Sequence, residues 1–380
     1  MWRTARSARS LRVISADASA VSHTICMWIS GCAGRFPGGP GRMIHDNERE
    51  SEASMVKIGT NLPEHLILED MGALKEFLQA IEQMGYDYIT VGDHVLGADL
   101  DVRPDWKPYF GHGPLYDRHM VWHEPMVLFG YLAAVTKSLE FCTGILVGPQ
   151  RQTALLAKQA AQVDLLSGGR TRFVMAAGWN DVEFEGMGVD FRHRGKIMDE
   201  QLEILKMLWT EEVVTYHGEH HTFNAVGINP LPIQRPIPVW LGGQSARVLK
   251  RVGRLADGWF PYYPWFSEEI LREQLEVIHG AAKEAGRDPS EIGLEGAIYF
   301  EDPRFEMPKG GRIPPKTFDE CVEYAHLWKS LGATRYWVTA PWADLGPEET
   351  GVREPGKEWS GIEPRLRSLE EFKAALGDDY

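Results

Sequence analysis

No C-x-x-C pair occurs in this chain. Its four cysteines, Cys26, Cys32, Cys142 and Cys321, are scattered over 380 residues, which argues against a structural zinc site or a dithiol redox centre. They are too few for the framework of a disulfide-stapled secreted domain, so the chain reads as a protein of a reducing compartment, the cytoplasm. Cys142 falls in an apolar, strand-like run and is expected to pack in a core, not to act as a nucleophile. Positive charge is also in deficit. Lys and Arg number 40 against 54 Asp and Glu, a formal net charge of -14, which is the wrong sign for a nucleic-acid footprint. No apolar run reaches the roughly 18 residues that would span a bilayer. With nucleic acid and membrane set aside, a small molecule is the expected partner.

Two nucleotide signatures are missing as well. The first strand-like segment, "VKIGT" (56–60), is followed by "NLPEHL", which has none of the G-x-G-x-x-G glycines of a dinucleotide fold. No G-x-x-x-x-G-K-[ST] occurs either. "HGEHH" (217–221) is not H-E-x-x-H, and its glycine disfavours a helix, so we expect a solvated hairpin and no metal site.

What is present divides at about residue 54. Residues 1–54 are rich in Arg, Ser, Gly and Pro without sustained periodicity; we expect a disordered extension or an upstream start, with the folded domain over 55–380. From Met55 onwards strand and helix patterns alternate. Helices are expected over 69–84, 124–137, 193–210, 267–285, 317–331 and 368–376, and strands at 86–91, 139–147, 171–177 and 292–300 among others. Eight strands alternating with eight helices imply a parallel sheet with helical crossovers, and we expect a closed (β/α)8 TIM barrel with insertions at its C-terminal face. An open doubly wound sheet is the rival.

In a barrel, function collects where strands end. Gly168 and Gly169 precede a strand and read as a turn on the opposite face. Gly178, after "FVMAA", and Gly242-Gly243, after "IPVWL", lie on the functional face. The glycine pair reads either as a sharp strand-to-helix turn or, with Gln244 and Ser245, as a rim whose backbone N–H groups hold a phosphate. The second strand ends "VGDHV", which places Asp93 and His94 at the barrel mouth. An imidazole there can relay a proton near neutrality, or it can be a satisfied core group. Asp93 is suited to orient it, to meet a ligand or to cap the loop. In "GWNDVEFEGMG" (178–188), Trp179 offers a flat wall, Asn180 a donor and an acceptor, and Glu183 a loop anchor or a group facing substrate. The segment 95–123 is too long for a plain connector and rich in aromatics, as expected of a pocket wall.

"DYITVGDHV", "TGILVGPQRQTALLAKQAAQVDLLSGGR", "GWNDVEFEGMGVDFRHRGKIMDE" and "PLPIQRPIPVWLGGQSARVLKRVGRLADGWF", in this order, resemble the bacterial luciferase-like flavin and deazaflavin oxidoreductases. The resemblance covers Met55 to the C-terminus. It implies a dimeric TIM-barrel enzyme that binds coenzyme F420 or FMN at its top face. It further implies that Gly242, Gly243 and Gln244 hold the cofactor phosphate. Thr143, Gly144 and Ile145 would form a bulge with a non-prolyl cis peptide behind the ring, and Gly178, Trp179 and Asn180 would border it. Asp93, His94 and Glu183 form the expected catalytic set. "VGDHV" and the "GWN" loop resemble the F420-dependent branch, whose cofactor passes hydride to or from a small substrate. An FMNH2-dependent monooxygenase and a non-catalytic cofactor-binding protein are the alternatives.

Overall fold

The strand segments YITV, TRFVMA and VWLG are buried along almost their whole length. Strands that are apolar on both faces belong to parallel sheets covered by helices. The computed structural model describes residues 56–63, 70–106, 116–261, 267–298, 317–339 and 362–377, and in it these strands form such a sheet. The described elements begin with β1 (Lys57–Asn61), α1 (Met71–Gln83), β2 (Tyr88–Val91), α2 (Pro125–Val135), β3 (Glu140–Thr143) and β4 (Leu146–Val147). There follow α3 (Thr153–Ser167), β5 (Thr171–Ala176), α4 (Asp181–Met187), α5 (Arg194–Thr210) and a hairpin of β6 (Val214–His217) and β7 (Thr222–Val226). The chain continues with β8 (Val239–Gly242), α6 (Ala246–Leu255), β9 (Gly258–Phe260), α7 (Glu268–Glu284), β10 (Gly293–Ile298), α8 (Phe318–Ser330), β11 (Arg335–Val338) and α9 (Glu363–Leu376).

The large sheet runs β3-β2-β1-β11-β10-β9-β8-β5-β4, and β3 pairs with β5, so the sheet closes on itself. All its pairings are parallel. This is the expected TIM barrel. Chain contacts divide between Ser54 and Met55, and the barrel belongs to the unit from Met55 to Tyr380. The extension expected over 1–54, residues 107–115 of the long loop and the last two residues of the strand expected over 292–300 lie outside the described residues.

Three local expectations need correction. The strand expected over 139–147 breaks after Thr143: β3 pairs with β2 and β5, whereas β4 pairs with β5 alone, and the Gly144–Ile145 peptide between them is cis. The 178–188 segment, read as loop, contains α4. The Asn180 side chain caps it by accepting from the Val182 N–H, Asp181 and Glu183 occupy its positive first turn, and Gly188 ends it at φ 71°. The last helix begins at Glu363 and not at 368, with a proline in its first turn, where no amide donor is required.

The barrel interior is filled by large rings. A Cβ added at Gly59 would lie 2.2 Å from the Tyr88 ring, and one at Gly258 would lie 2.3 Å from the Trp240 indole. Glycines on neighbouring strands thus make room for rings that reach across the cylinder. Arg172 donates to Glu295 at 2.7 Å, and Glu295 also accepts the Tyr88 hydroxyl at 2.6 Å. The guanidinium lies over the Tyr88 and Trp240 rings, but only its Nη1 is hydrogen-bonded; Nε and Nη2 are buried without a partner among the described residues, so the ring faces stand in for part of the lost solvation. Cys142 is fully buried there, and burial pushes its thiol up to about 12, as suits core packing and not nucleophilic attack.

Candidate functional site

β2 delivers the chain to the rim as Gly92-Asp93-His94. The imidazole Nδ1 of His94 lies 3.2 Å from Glu183 Oε2, with side-chain exposures of 15% and 1%. The other Glu183 oxygen accepts the backbone N–H groups of Val95 at 2.6 Å and Leu96 at 3.4 Å. One carboxylate therefore ties down the loop after β2 and orients the histidine. Aromatic rings enclose the imidazole: Tyr116 at 4.0 Å, Trp122 at 4.7 Å and Trp179 at 5.7 Å between centroids. Burial, then the Glu183 charge, raises the Tyr116 phenol well above its ordinary value, so it stays protonated. Its hydroxyl accepts from Asn180 Nδ2 and donates to the Leu96 carbonyl at 3.3 Å.

Helix α4 is bolted to the loop that carries these rings. Arg103 forks onto Glu185 at 2.9 and 3.0 Å, and the Trp106 indole donates to Asp181 at 2.8 Å. The acidic residues of "NDVEFE" thus all address the 94–123 segment.

Asp93 faces a different partner from His94's. Its carboxylate receives Arg151 Nη2 at 2.6 Å and the Val147 N–H at 2.9 Å. Burial raises the Asp93 carboxyl, and the Arg151 charge works in the opposite direction. Thr143 is buried and donates to the Val174 carbonyl at 2.8 Å, and the Gly144 N–H donates to the Val91 carbonyl at 2.7 Å. Ile145 leans on Gly242, where an added Cβ would lie 2.4 Å from its Cδ1. At Gly178, φ is 81° and an added Cβ would meet Val147 at 2.6 Å. Arg194 Nε holds the Gly178 carbonyl at 3.1 Å.

The end of β8 is the glycine rim. Gly243 has φ 112°, and the Trp259 indole fixes its carbonyl at 2.9 Å. Ser245 caps α6 by accepting the Val248 N–H at 3.4 Å, and no acidic residue occupies the first turn of α6. Gln244 lies half-buried on this turn.

The structure therefore gathers His94, Glu183, Trp179 and Asn180 around one aromatic cluster. It sets Asp93 and Gly178 against Val147, and Gly242 against Ile145, two residues earlier on the same segment. Tyr116, Trp122, Arg151 and Arg194 were not singled out by the sequence. For Arg151 the available signal was a charged residue in "GPQRQT", between a strand end and a helix start on the functional face. A cavity of about 200 Å³ lined by Lys57, Glu82, Asp87 and Glu140 lies at the amino ends of the first strands, the face that serves stability in a barrel.

A family model described as luciferase-like monooxygenase matches residues 53–304. The chain belongs to this family. Among curated relatives, an uncharacterised protein of Mycobacterium tuberculosis (strain ATCC 25618 / H37Rv) is 35% identical over 187 residues, 48% of this chain and 62% of the relative. The FMNH2-dependent dimethylsulfone monooxygenase of Pseudomonas putida is 30% identical over 183 residues, 47% of this chain and 50% of that one. The chain thus spans between about half and three-fifths of the length of these relatives. Two solved structures share the barrel fold. An F420-dependent secondary alcohol dehydrogenase in complex with an F420-acetone adduct has a TM-score of 0.63 and 16% identity, over 85% of this chain and 100% of that one. The EDTA monooxygenase of Chelativorans sp. BNC1 has a TM-score of 0.61 and 14% identity, over 85% and 94%.

A ring-bearing cofactor with a phosphate tail suits the residues present. The Gly243 turn has its carbonyl held by the Trp259 indole, and the helix that follows is capped by Ser245 and has no carboxylate in its first turn. In the His94 cluster, the Trp122 Nε1 donor is buried without a hydrogen-bond partner, a group that a ligand acceptor would satisfy. Among the described residues no helix is long and apolar enough to cross a membrane.

Proposed function

We propose that this luciferase-like chain is an oxidoreductase that uses coenzyme F420 to exchange hydride with a small organic substrate. The observation that carries the reading is the His94–Glu183 pair at the end of β2, walled by three aromatic rings. When bound, the deazaflavin supplies the two-electron step. The chain supplies placement. Gly242, Gly243 and Gln244 hold the phosphate, Thr143-Gly144-Ile145 backs the ring, and Gly178, Trp179 and Asn180 border it. His94 gives or takes the substrate proton at an imidazole nitrogen while Glu183 holds the ring in place. Asp93, expected in the same catalytic set, is committed to Arg151 and Val147.

The second reading is an FMNH2-dependent monooxygenase, favoured by the similarity to the P. putida enzyme. Titration of the apoprotein with F420 and with FMN separates the two. Tight F420 binding with weak FMN binding supports the first; FMN preference with oxygen uptake on addition of reduced FMN overturns it. Tight binding without turnover over a broad substrate panel would mark a non-catalytic cofactor carrier.

We further propose that the protein works as a homodimer in the cytoplasm, paired through the outer faces of α2 and α3. Helix α2 carries no charged residue, and Val127 on it is 73% exposed. Leu155 and Leu166 are exposed on α3 alongside.

A further inference from the structure

Arg151 joins four elements at the barrel rim. Its Nη2 and Nε donate to Asp93 Oδ1 and Oδ2, at 2.6 and 3.3 Å, at the end of β2. Its Nη1 donates to Glu124 Oε1 at 2.7 Å, and the other Glu124 oxygen caps α2 by accepting the Val127 N–H at 2.7 Å. Its carbonyl accepts from Gln201 Nε2 on α5 at 3.2 Å. Asp93 Oδ2 adds the fourth link by accepting the Val147 N–H of β4 at 2.9 Å.

The pair is withdrawn from water, with side-chain exposures of 1% for Asp93 and 12% for Arg151. Burying two charges costs desolvation that their attraction offsets only in good geometry, and an apolar replacement is often neutral or stabilising. Stability alone is therefore a weak reason for this arrangement. What it fixes is β4. Ile145, two residues before Val147, rests on Gly242, and the Val147 side chain rests on Gly178. Movement of β4 would shift both contacts together, because neither leaves room even for an added Cβ on the glycine.

We infer that Asp93 and Arg151 are a positioning pair that sets the Thr143–Ile145 shelf against the Gly178 and Gly242 turns, and so sets how a ring on that shelf meets His94. This rests on the reading that a ring cofactor lies on that shelf. Asp93 then acts through β4 and not as a proton carrier.

The test uses the full chain and four variants: Arg151→Met, Arg151→Lys, Asp93→Asn and the double variant Asp93→Asn/Arg151→Met. F420 and FMN are the probes. Affinity, the induced circular dichroism of the bound ring and the melting temperature are read for each. Arg151→Met and Asp93→Asn are expected to change the induced band while Kd moves by less than about tenfold, because the pair's own hydrogen bonds go to β4, Glu124 and α5, and it meets the phosphate rim only indirectly, through Ile145. The double variant should look like either single one, since the pair acts as a unit. Arg151→Lys keeps the charge but not the fork, and should recover the band only in part. Folded variants that melt earlier yet keep the wild-type band would make the pair a structural staple and overturn the inference. So would band changes that add in the double variant. If the wild type binds neither coenzyme, the reading of the site itself falls and takes the pair with it. If the wild type binds one and the variants keep its band, the pair alone falls.

Discussion

Two constraints act on the His94 ring: a carboxylate at one nitrogen and aromatic faces around the rest. That arrangement fixes orientation, which a proton carrier needs before its affinity matters. Replacement of His94 by Ala should therefore lower turnover by about 10²–10⁴-fold and leave cofactor affinity within a few-fold, read by steady-state kinetics and cofactor titration. Loss of both in equal measure would show a structural histidine. A second residue-scale prediction concerns Glu140. It binds Lys57 and receives Arg335 Nη1 at 2.7 Å. Burial pushes its carboxyl up, but Arg335 and Lys57 outweigh burial and hold it below the ordinary 4.5. A carboxyl lowered in the folded state contributes stability that is present above its unfolded value and is lost as pH falls through the folded one. The Glu140→Gln variant should thus show a flatter decline of melting temperature between about pH 6 and pH 3. Parallel curves for variant and wild type would remove Glu140 from the acid response. At this scale the sequence showed His94, because strand ends mark function in a barrel. It did not show Glu183 or Arg151 as partners, because those contacts span 89 and 58 residues and no periodicity encodes them.

Helices α6 and α7 show how an element carries the site. An added Cβ at Gly253 would lie 2.3 Å from the Ile278 carbonyl and 2.8 Å from the Ala282 nitrogen, both backbone atoms. The two helices touch there backbone to backbone with the Ala281 methyl beside the contact, and α6 begins at the glycine rim. The Gly253→Ala variant should force them apart, costing roughly 1–3 kcal/mol of stability. It should also weaken cofactor binding, because the start of α6 tilts with its middle. Denaturant midpoints and cofactor affinity check this together; a destabilised variant with unchanged affinity would show that α6 can move without disturbing the rim. Most elements were visible from their periodicity, and the hairpin, observed as Val214–His217 paired with Thr222–Val226, from the glycine in "HGEHH". The break after Thr143 was not visible from pattern, since both sides of it are apolar, and it entered only through the family resemblance. Helix α4 was obscured by its brevity: seven residues between glycines read as a loop until Asn180 is seen to cap it.

At the scale of the whole molecule, alternation of strands and helices announces a parallel sheet, but closure depends on β3 meeting β5, a pairing that no local pattern states. The way glycines on β1 and β9 accommodate Tyr88 and Trp240 is equally non-local. Surface charge at this scale bears on where the proposed second copy would dock. A net charge of -14 opposes self-association over most of a surface. The outer faces of α2 and α3 escape that repulsion. Neither Pro125–Val135 nor the outward positions of Thr153–Ser167 bring an acidic group to the surface: Asp164 is fully buried, and Lys158 donates to the Asn229 carbonyl. A helix apolar all round, as α2 is, is normally covered on every side. In the proposed homodimer, Val127, Leu155 and Leu166 would lie on the surface that the second copy covers. Wild-type protein should sediment as a dimer, and the Val127→Glu/Leu166→Glu variant as a monomer with its circular dichroism intact, because two-fold pairing would set the new charges against their own copies. A wild-type monomer, or a variant that stays dimeric, would assign that face to something other than self-association.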